Sequence, residues 1–285
     1  MSALLVSRTI AESEGWRVSD VVCRSGPEHA PFEERHETVA IAAVIEGSFQ
    51  YHSAAGRALL HPGAFLLGNA GTCFTCGHAH GRGDRCIAFQ YAPAFFEEIS
   101  ATAAGSSRFR FAMGMLPVAT DMMRAAVSAE RVAVEGLLAT EELAVEVAET
   151  VLVMGSGHAA TPAAPSARDE RRVSKAIHTI EACADARIDL NALADAAAMS
   201  KYHFLRTFRR VVGGTPYQYL LSVRLRRAAL ALTTTGKSIA AVAFEAGFGD
   251  ISTFNAQFRR AFGQPPSGLR RASSNGRSEE AIARQ

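Results

Sequence analysis

The sequence predicts an α+β protein whose N-terminal half is rich in short strands and whose C-terminal half is entirely helical. Three observations lead to this prediction. A short motif occurs twice between residues 189 and 271. Small residues and prolines fill residues 156–168, a composition typical of a flexible linker. Upstream of this linker, apolar runs alternate with turn residues over 16–92, and helical periodicity replaces them over 93–155.

The repeated motif has the same order of residue types in both copies. Each copy contains a short apolar run, two phenylalanines four residues apart, two arginines, a glycine and a proline. The first copy has Leu193–Ser200, Phe204, Phe208, Arg209, Arg210, Gly213 and Pro216, and the second has Val242–Phe248, Phe254, Phe258, Arg259, Arg260, Gly263 and Pro266. Phenylalanines at i and i+4 share one helix face. Each copy is therefore predicted to form two packed helices joined by a tight turn, which is a helix-turn-helix unit.

Capping residues predict where the helices of each unit begin. Asp189 and Ser200 precede the two helices of the first unit. Ser238 and Asp250 precede those of the second. Side chains of these types accept hydrogen bonds from the free N–H groups of a helix start. Gly247 stands where the second unit needs a turn residue with positive φ.

A long helix is predicted between the two copies. Pro216 suits the first position of a helix, and apolar residues continue at helical spacing as far as Leu232. About 18 residues at ~1.5 Å each give a stiff rod of ~27 Å. Adjacent major grooves on one face of B-DNA lie roughly 34 Å apart. Such a spacer would place two helices of one chain in successive grooves, which predicts double-stranded DNA as a partner.

Residues 169–271 resemble the DNA-binding domain of the AraC/XylS family of bacterial transcription regulators. The resemblance is carried by Met199-Ser-x-x-x-Phe-x-Arg-x-Phe-Arg in the first copy. In the second copy it is carried by Ile239-Ala-x-Val-Ala-x-x-x-Gly-Phe and by Phe254-x-x-x-Phe-Arg-Arg-x-Phe-Gly-x-x-Pro. It implies two helix-turn-helix units bridged by a long helix, which bind operator DNA and act with RNA polymerase as activator or repressor.

By position, the resemblance also implies which side chains read bases. They are Tyr202, Leu205 and Arg206 in the first unit, and Ile251, Ser252, Asn255 and Ala256 in the second. Leu205, Ile251 and Ala256 can contact thymine methyl groups but cannot donate hydrogen bonds. The basic side chains on the outer helix faces are predicted to contact phosphates. They are Lys201, Arg209, Arg210, Arg259 and Arg260.

The two parts of the chain carry opposite net charges. Residues 169–285 contain 18 Lys and Arg against 10 Asp and Glu, whereas residues 1–168 contain 12 against 18. The basic part suits the phosphate backbone, and the acidic part should stay away from it. No segment has the pattern of a signal peptide or a membrane span, and the five cysteines form no evident disulfide framework. The expected location is therefore the cytoplasm, with no membrane partner.

Short strands with frequent turns over residues 16–92 predict a small barrel or sandwich. The resemblance implies a cupin-like effector-binding barrel here, and residues 62–71 resemble a strand pair of such a barrel. Residues 93–155 are predicted to be a helical extension, with an apolar stripe from Leu137 to Leu152. This stripe is interpreted either as the contact of a homodimer or as a helix packed on its own barrel.

Residues 73–86 contain a group with metal-ligand chemistry. Its members are Cys73, Cys76, His78, His80 and Cys86. Because a strand has a period of two, Cys76, His78 and His80 would share a face, and Cys86 on the next strand would return beside them. Cys73 would point the other way and is a spare ligand. Three interpretations stay open: a Zn²⁺ or other transition-metal site, redox-active thiols, or buried thiols that only fill space.

Two functions are compatible with these patterns. One is a sequence-specific transcription regulator controlled by a small-molecule, metal or redox effector, and the other is a cupin-type metalloenzyme with an accessory DNA-binding domain. An enzyme barrel of that type would have Glu three or four residues after its His-x-His, but Asp84 is the fourth residue after His80. The sequence therefore favours a regulator that is not an enzyme. Its predicted parts are an effector and dimerisation domain, 1–155; a flexible linker, 156–168; a double helix-turn-helix domain, 169–271; and a disordered tail, 272–285.

Overall fold

The computed structural model describes residues 4–78, 83–106, 108–117, 125–129, 140–156 and 165–273. The strands are β1 (Leu5–Ser13), β2 (Trp16–Cys23), β3 (Phe32–Arg35), β4 (Val39–Gly47), β5 (Phe49–Ser53), β6 (Gly56–Leu60), β7 (Phe65–Gly68), β8 (Cys73–Gly77), β9 (Asp84–Tyr91) and β10 (Met115–Leu116). The helices are α1 (Pro93–Ala103), α2 (Thr140–Ser156), α3 (Ala167–Ala182), α4 (Leu190–Ala196), α5 (Lys201–Val212), α6 (Pro216–Thr234), α7 (Ile239–Glu245) and α8 (Ile251–Phe262). Residues 125–129 and 266–273 are also helical.

The strands lie in two antiparallel sheets. The larger sheet has the order β1-β2-β9-β4-β7-β10, and the smaller has the order β3-β8-β5-β6. Closing a barrel requires the edge strands to pair with each other, and the described edge strands do not. A strand-rich N-terminal region is therefore confirmed, but a cupin-like barrel is not. Residues 62–71 supply one strand, β7, instead of a strand pair.

Two apolar cores stabilise the N-terminal region. One lies between the sheets and includes Phe49 and Tyr51 of β5. The other lies on the opposite face of the larger sheet, where Phe89 and Tyr91 of β9 are fully buried beneath α1 and α2. In α2, Ala148, Val151 and Leu152 are likewise fully buried in this core. The apolar stripe thus packs on its own sheet, as one of the two interpretations expects, while residues 137 and 138 lie outside the described ranges.

The C-terminal region contains two helix-turn-helix units of matching dimensions, as predicted. α4 and α7 have seven residues each, and α5 and α8 have twelve. Phe204 and Phe208 are fully buried in the first unit, and Phe254 and Phe258 in the second. Each unit therefore has its own aromatic core.

The predicted helix caps are present at three of four positions. Asp189 accepts a hydrogen bond from the N–H of Ala192, and Ser238 accepts one from Ala241. Asp250 accepts one from Thr253 at 2.7 Å. Ser200 is the N-cap residue of α5, but its side chain makes no capping hydrogen bond there.

The connecting helix α6 has nineteen residues and joins the cores of both units. Tyr219 and Val223, in its first half, pack into the first core. Leu225 and Ala228, in its second half, pack into the second. At the boundary between the two halves, Arg224 Nε donates a hydrogen bond to the carbonyl oxygen of residue 184 at 2.6 Å. The predicted rigid spacer is therefore confirmed as a shared structural element.

The turn within each unit contains one residue with positive φ. Gly247 has φ 91° in the second unit, as predicted, and Ala198 has φ 50° at the equivalent position in the first. In both units the following residue donates its N–H to the carbonyl group five residues earlier at 3.0 Å. An L-residue in the left-handed region costs roughly 1–2 kcal/mol. The packing of the first unit must offset this cost at Ala198.

We expect Gly247→Ala to lower the free energy of unfolding by about 2 kcal/mol or more, since left-handed strain of roughly 1–2 kcal/mol adds to a steric clash. A Cβ at Gly247 would lie 2.8 Å from the carbonyl oxygen of Ala184 and 2.9 Å from Arg224 Nε. Gly263→Ala is the matched control, because Gly263 has φ 69° and a Cβ there would meet no described atom within 4 Å. Chemical denaturation followed by far-UV circular dichroism measures both. Equal losses in the two variants would contradict the clash.

The predicted linker and tail fall largely outside the described ranges. α2 ends at Ser156, and α3 begins at Ala167 with Ser166 as its N-cap. Between them, 157–164 lie outside the described residues, as do 274–285 of the tail. Residues 272 and 273, assigned to the tail in the prediction, still belong to the last helix. Within the ranges that are described, no helix combines the length and apolar character needed to cross a membrane.

Candidate functional site

Three polar side chains meet where β2, β8 and β9 end or begin. Cys23 is the last residue of β2, His78 directly follows β8, and Asp84 is the first residue of β9. The sheet register places Cys23 opposite Asp84. The Cys23 thiol sulphur, a ring nitrogen of His78 and a carboxylate oxygen of Asp84 all lie within 4.8 Å of one another. These three residues are named the cysteine–histidine–aspartate cluster.

The cluster is buried and its members share hydrogen bonds. His78 Nε2 donates to Asp84 Oδ2 at 2.5 Å, and these side chains are only 2 % and 8 % exposed. Burial alone would lower the pKa of His78, but hydrogen bonds with Asp84 and Cys23 raise its pKa to about 9. Burial also raises the pKa of the Cys23 thiol, yet hydrogen bonds with His78 and Ser25 bring that pKa below its ordinary value. An imidazolium therefore lies between a carboxylate and an acidified thiol.

The cluster differs from the set of ligands predicted from the sequence. Of that set, His78 belongs to it, and the buried thiol of Cys86 lies beside it, donating to the cluster's carboxylate at 3.5 Å. Cys76 packs against the core between the sheets and is not among the three mutually close ligands. Cys73 is exposed at the start of β8. His80 lies outside the described residues.

Cys23 was missed as a ligand because the sheet, and not local spacing, brings it beside His78 and Asp84. Cys23 precedes Asp84 by about sixty residues, and only the antiparallel pairing of β2 with β9 makes them neighbours. Two glycines allow the close approach of the backbones. A Cβ on Gly83 would overlap the carbonyl oxygen of Cys23, and one on Gly47 would overlap that of Gly83.

In the first helix-turn-helix unit, α5 presents a basic outer face. Arg206 and Arg209 are exposed, and Leu205 is half-buried. His203, which is not among the residues predicted to contact DNA, is also exposed on this helix. The side chains of residues 201 and 202, predicted as Lys201 for phosphate and Tyr202 for bases, lie outside the described residues.

Arg210 differs from its neighbours on α5. Its Nη2 donates to Asp169 Oδ2 of α3 at 2.7 Å. The guanidinium thus connects α5 to α3, whereas the sequence predicted a phosphate contact for it. Proximity in the sequence to Arg209 did not reveal this partner, because Asp169 belongs to another helix.

In the second unit, α8 presents a mixed outer face. Its exposed residues are Ile251, Ser252, Thr253, Ala256, Arg259 and Arg260, and Asn255 is half-buried. Thr253 was not selected from the sequence. The basic pair lies in the last turn of α8, and the small polar residues lie in its first turn. The first turn of α8 therefore presents short side chains that can make close contacts, and its last turn presents two positive charges.

The sequence of this region matches a known family. A family model described as a helix-turn-helix domain matches residues 193–272. A putative AraC-like transcription regulator of Streptomyces lividans is 34 % identical over 79 residues, which are 28 % of this chain and 26 % of that protein. The C-terminal region is an AraC-type domain.

Further relatives match this AraC-type domain. The MmsAB operon regulatory protein of Pseudomonas aeruginosa is 32 % identical over 85 residues, which are 30 % of this chain and 28 % of that protein. The chain thus spans about a quarter of the length of these two curated relatives. Among solved structures, a transcriptional regulator of Chromobacterium violaceum is 26 % identical with a TM-score of 0.36, and the match covers 38 % of this chain and 96 % of that one.

The AraC-type domain is joined to the smaller sheet through α3, which packs into the core of the first unit. Glu170 of α3 is fully buried and accepts hydrogen bonds at Oε2 from Arg57 Nε at 2.7 Å and from Gln50 Nε2 at 3.1 Å. Ser48 and Ser174 share a buried hydrogen bond of 2.8 Å between their hydroxyls. Buried polar groups of this kind are costly to separate unless water replaces their partners.

Proposed function

We propose that this chain is a sequence-specific DNA-binding transcription regulator whose N-terminal sheets sense an effector. The observation that carries the proposal is the pair of equally sized helix-turn-helix units built on one nineteen-residue helix. At ~1.5 Å per residue this helix is ~28 Å long, which is close to the roughly 34 Å between successive major grooves. The net positive charge of the same region supports attraction to the phosphate backbone.

We assign base reading to the first two turns of α5 and α8 and phosphate contact to their basic side chains. The base readers are Tyr202, Leu205, Arg206, Ile251, Ser252, Asn255 and Ala256, and the phosphate contacts are Lys201, Arg209, Arg259 and Arg260. Arg210 is left out of the phosphate group because it is paired with Asp169. RNA polymerase is the second macromolecular partner in this proposal, and a homodimer would double the number of operator half-sites.

Control by an effector is supported by the contacts between the smaller sheet and α3. Gln50 and Arg57 of the smaller sheet are hydrogen-bonded to Glu170 of α3. Because α3 packs into the core of the first unit, a displacement of either side chain would be transmitted through α3 to α5. Two sites are coupled only when both bias the same structural element. Here that element is α3.

Selection of duplexes from a random library with the full chain tests this function. We expect enrichment of one motif with two half-sites about 10 base pairs apart, because each unit enters its own major groove. The enriched duplex then serves as the cognate site in every binding experiment. A library that stays random after several rounds would contradict sequence-specific binding.

We expect Arg206→Ala to weaken binding to the cognate duplex by about 1–3 kcal/mol, because a guanidinium that reads guanine makes two hydrogen bonds to one base. Binding to a scrambled duplex should change little. Arg209→Ala is the matched control on the same helix: it should weaken binding to both duplexes alike, since phosphates carry no sequence information. Fluorescence anisotropy at fixed salt measures both. An equal loss on both duplexes for Arg206→Ala would remove it from the base readers.

A further inference from the structure

We propose that the cysteine–histidine–aspartate cluster binds one Zn²⁺-class transition-metal ion through Cys23, His78 and Asp84, with Cys86 as the fourth ligand, and that the bound ion controls how the smaller sheet holds α3. Metal binding stands independently of the proposed function, whereas the effect on α3 rests on it.

The chemistry of the ligands favours such an ion. Thiolate, imidazole and carboxylate are the three side-chain groups that bind Zn²⁺ in proteins. Thiolates disfavour Mg²⁺ and Ca²⁺, which prefer oxygen ligands. The nitrogen of His78 and the oxygen of Asp84 lie 2.5 Å apart, joined by the proton of one hydrogen bond. When the ion binds, that proton and those of the two thiols leave to solvent, and the four donors hold the metal instead.

Cys86 is placed to complete the site. It lies two residues after Asp84 on β9, so that both side chains point to the same face. Its Sγ is 3.5 Å from Asp84 Oδ1, the carboxylate oxygen that His78 does not occupy. Four ligands with two thiolates, one imidazole and one carboxylate match a closed tetrahedral site.

The burial of the cluster distinguishes ion binding from catalysis. A cysteine beside a histidine and an aspartate is also the arrangement of a nucleophile with its base. A nucleophile must reach a substrate, however, and here His78 is 2 % and Asp84 8 % exposed at the side chain, while Cys23 is 6 % exposed. An ion of atomic size needs only the ligands themselves. The sealed position therefore favours an ion over a substrate.

The backbone holds three of these four ligands, Cys23, Asp84 and Cys86, in place before an ion arrives. Gly47 and Gly83 let three strand ends approach so closely that a Cβ on either would overlap a carbonyl oxygen. β2, β4 and β9 are therefore fixed relative to one another at the cluster. Fixed ligands lose little conformational entropy on binding.

The cluster is directly connected to the contacts with α3. Asp84 pairs with Gly47, the residue before Ser48, whose hydroxyl shares a hydrogen bond with α3. Gly77, the residue before His78, pairs with Gln50, whose amide donates to Glu170 of α3. Two of the proposed ligands are thus separated from two of the interface contacts by one strand pairing and one residue along the chain. Since Asp84 is held in place, an ion would act mainly by drawing His78 toward it, and the resulting shift of β8 would reach Glu170 through Gln50.

Metal binding is tested with the untagged full chain and with Zn²⁺ or Co²⁺ added alone. We expect one equivalent of Zn²⁺ to be retained after dialysis, and the Co²⁺ form to show thiolate-to-cobalt charge transfer with the visible bands of a four-coordinate site. Cys23→Ser and Asp84→Asn should each weaken Zn²⁺ binding by at least about a hundredfold in competition with a chromogenic chelator. Cys86→Ser should remove about half of the charge-transfer intensity, because one of two thiolates is lost.

Cys73→Ser is the matched control, because Cys73 is exposed at the far end of β8 and should leave Zn²⁺ affinity unchanged. If the unmodified chain retained less than a tenth of an equivalent of Zn²⁺ and its Co²⁺ form showed no visible bands, the proposed metal site would be wrong. This outcome does not depend on whether any variant folds. Full charge-transfer intensity in Cys86→Ser would overturn the fourth ligand. If the isolated protein contained a disulfide bond between Cys23 and Cys86, its mass would be lower by two hydrogens. That result would replace the metal site with a redox-active thiol pair.

The effect on α3 is measured as the affinity of the full chain for its selected duplex with and without one equivalent of Zn²⁺. We expect a change of about fivefold or more, which Cys23→Ser abolishes and Cys73→Ser keeps. Zn²⁺ that binds at one equivalent but leaves DNA affinity unchanged would overturn the control of α3. If the library yields no enriched duplex, the proposed function is wrong. The proposed metal site is still tested by the Zn²⁺ stoichiometry, which does not depend on DNA binding.

Discussion

Replacing Arg57 by alanine is expected to destabilise the folded chain by about 3–5 kcal/mol, because it leaves the charge of a buried partner uncompensated. Glu170 is fully buried, and Arg57 Nε lies 2.7 Å from its Oε2. Gln50 also donates to that oxygen, but a neutral amide cannot balance the charge. Urea denaturation at neutral pH, followed by far-UV circular dichroism, measures the loss.

The pH dependence of this loss follows from the pKa of Glu170. Burial raises the pKa of this carboxyl, and the contact with Arg57 opposes the rise. A carboxyl whose pKa is raised by folding binds its proton more tightly in the folded chain. Its contribution to stability is therefore present below the unfolded pKa of about 4.3 and is lost as pH rises through the folded value. Without Arg57 the pKa should rise further, so the deficit should be largest at neutral pH and smaller in mild acid.

Two controls separate the buried charge from the loss of a side chain. Arg17→Ala removes a comparable hydrogen-bonded pair, Arg17 with Glu12 at 2.7 Å, but both side chains are 55 % exposed. It should cost less than about 1 kcal/mol. Combining Arg57→Ala with Glu170→Gln should recover most of the stability, since no buried charge remains. A double variant as unstable as Arg57→Ala would contradict the electrostatic explanation.

The C-terminal fold could be predicted because its determinants are local. Asp189, Ser238 and Asp250 cap helices a few residues away, and Gly247 meets the φ requirement of its own turn. Burial of the paired phenylalanines follows from helical spacing alone. Ala198 is the exception, because alanine carries no local sign of a left-handed backbone, and only comparison with Gly247 would have indicated it.

The cluster and the interface could not be predicted because both depend on contacts between distant segments. His78 was selected from its neighbours in sequence, but its partner Cys23 arrives through the register of β2 with β9. Glu170 lies in the first turn of α3, and its burial depends on how α3 packs against the smaller sheet. The arrangement of the strands in two open sheets could not be predicted for the same reason, since the alternating pattern of a short strand does not determine which other strand it pairs with.

Inserting Gly-Gly after Arg224 is expected to lower affinity for the cognate duplex by about a hundredfold or more, because only one unit can then occupy its groove. The insertion point lies between Val223, which packs in the first core, and Leu225, which packs in the second. Two added residues rotate the rest of the helix by ~200° and advance it by ~3 Å, and each glycine weakens the helix by about 1 kcal/mol. Anisotropy titration of the full chain on the selected and scrambled duplexes measures the effect.

Affinity for the scrambled duplex should remain, since the insertion changes no charge and non-specific binding depends on phosphate contacts. Inserting Ala-Ala at the same point keeps helical propensity but imposes the same rotation, so it should cause a similar loss if the phase of the two units matters. Gly-Gly after Ala160, between α2 and α3, leaves α6 intact and should preserve cognate binding. Cognate affinity that survives both insertions after Arg224 would mean that one helix-turn-helix unit suffices, and the length of α6 would then carry no information about the spacing of the operator.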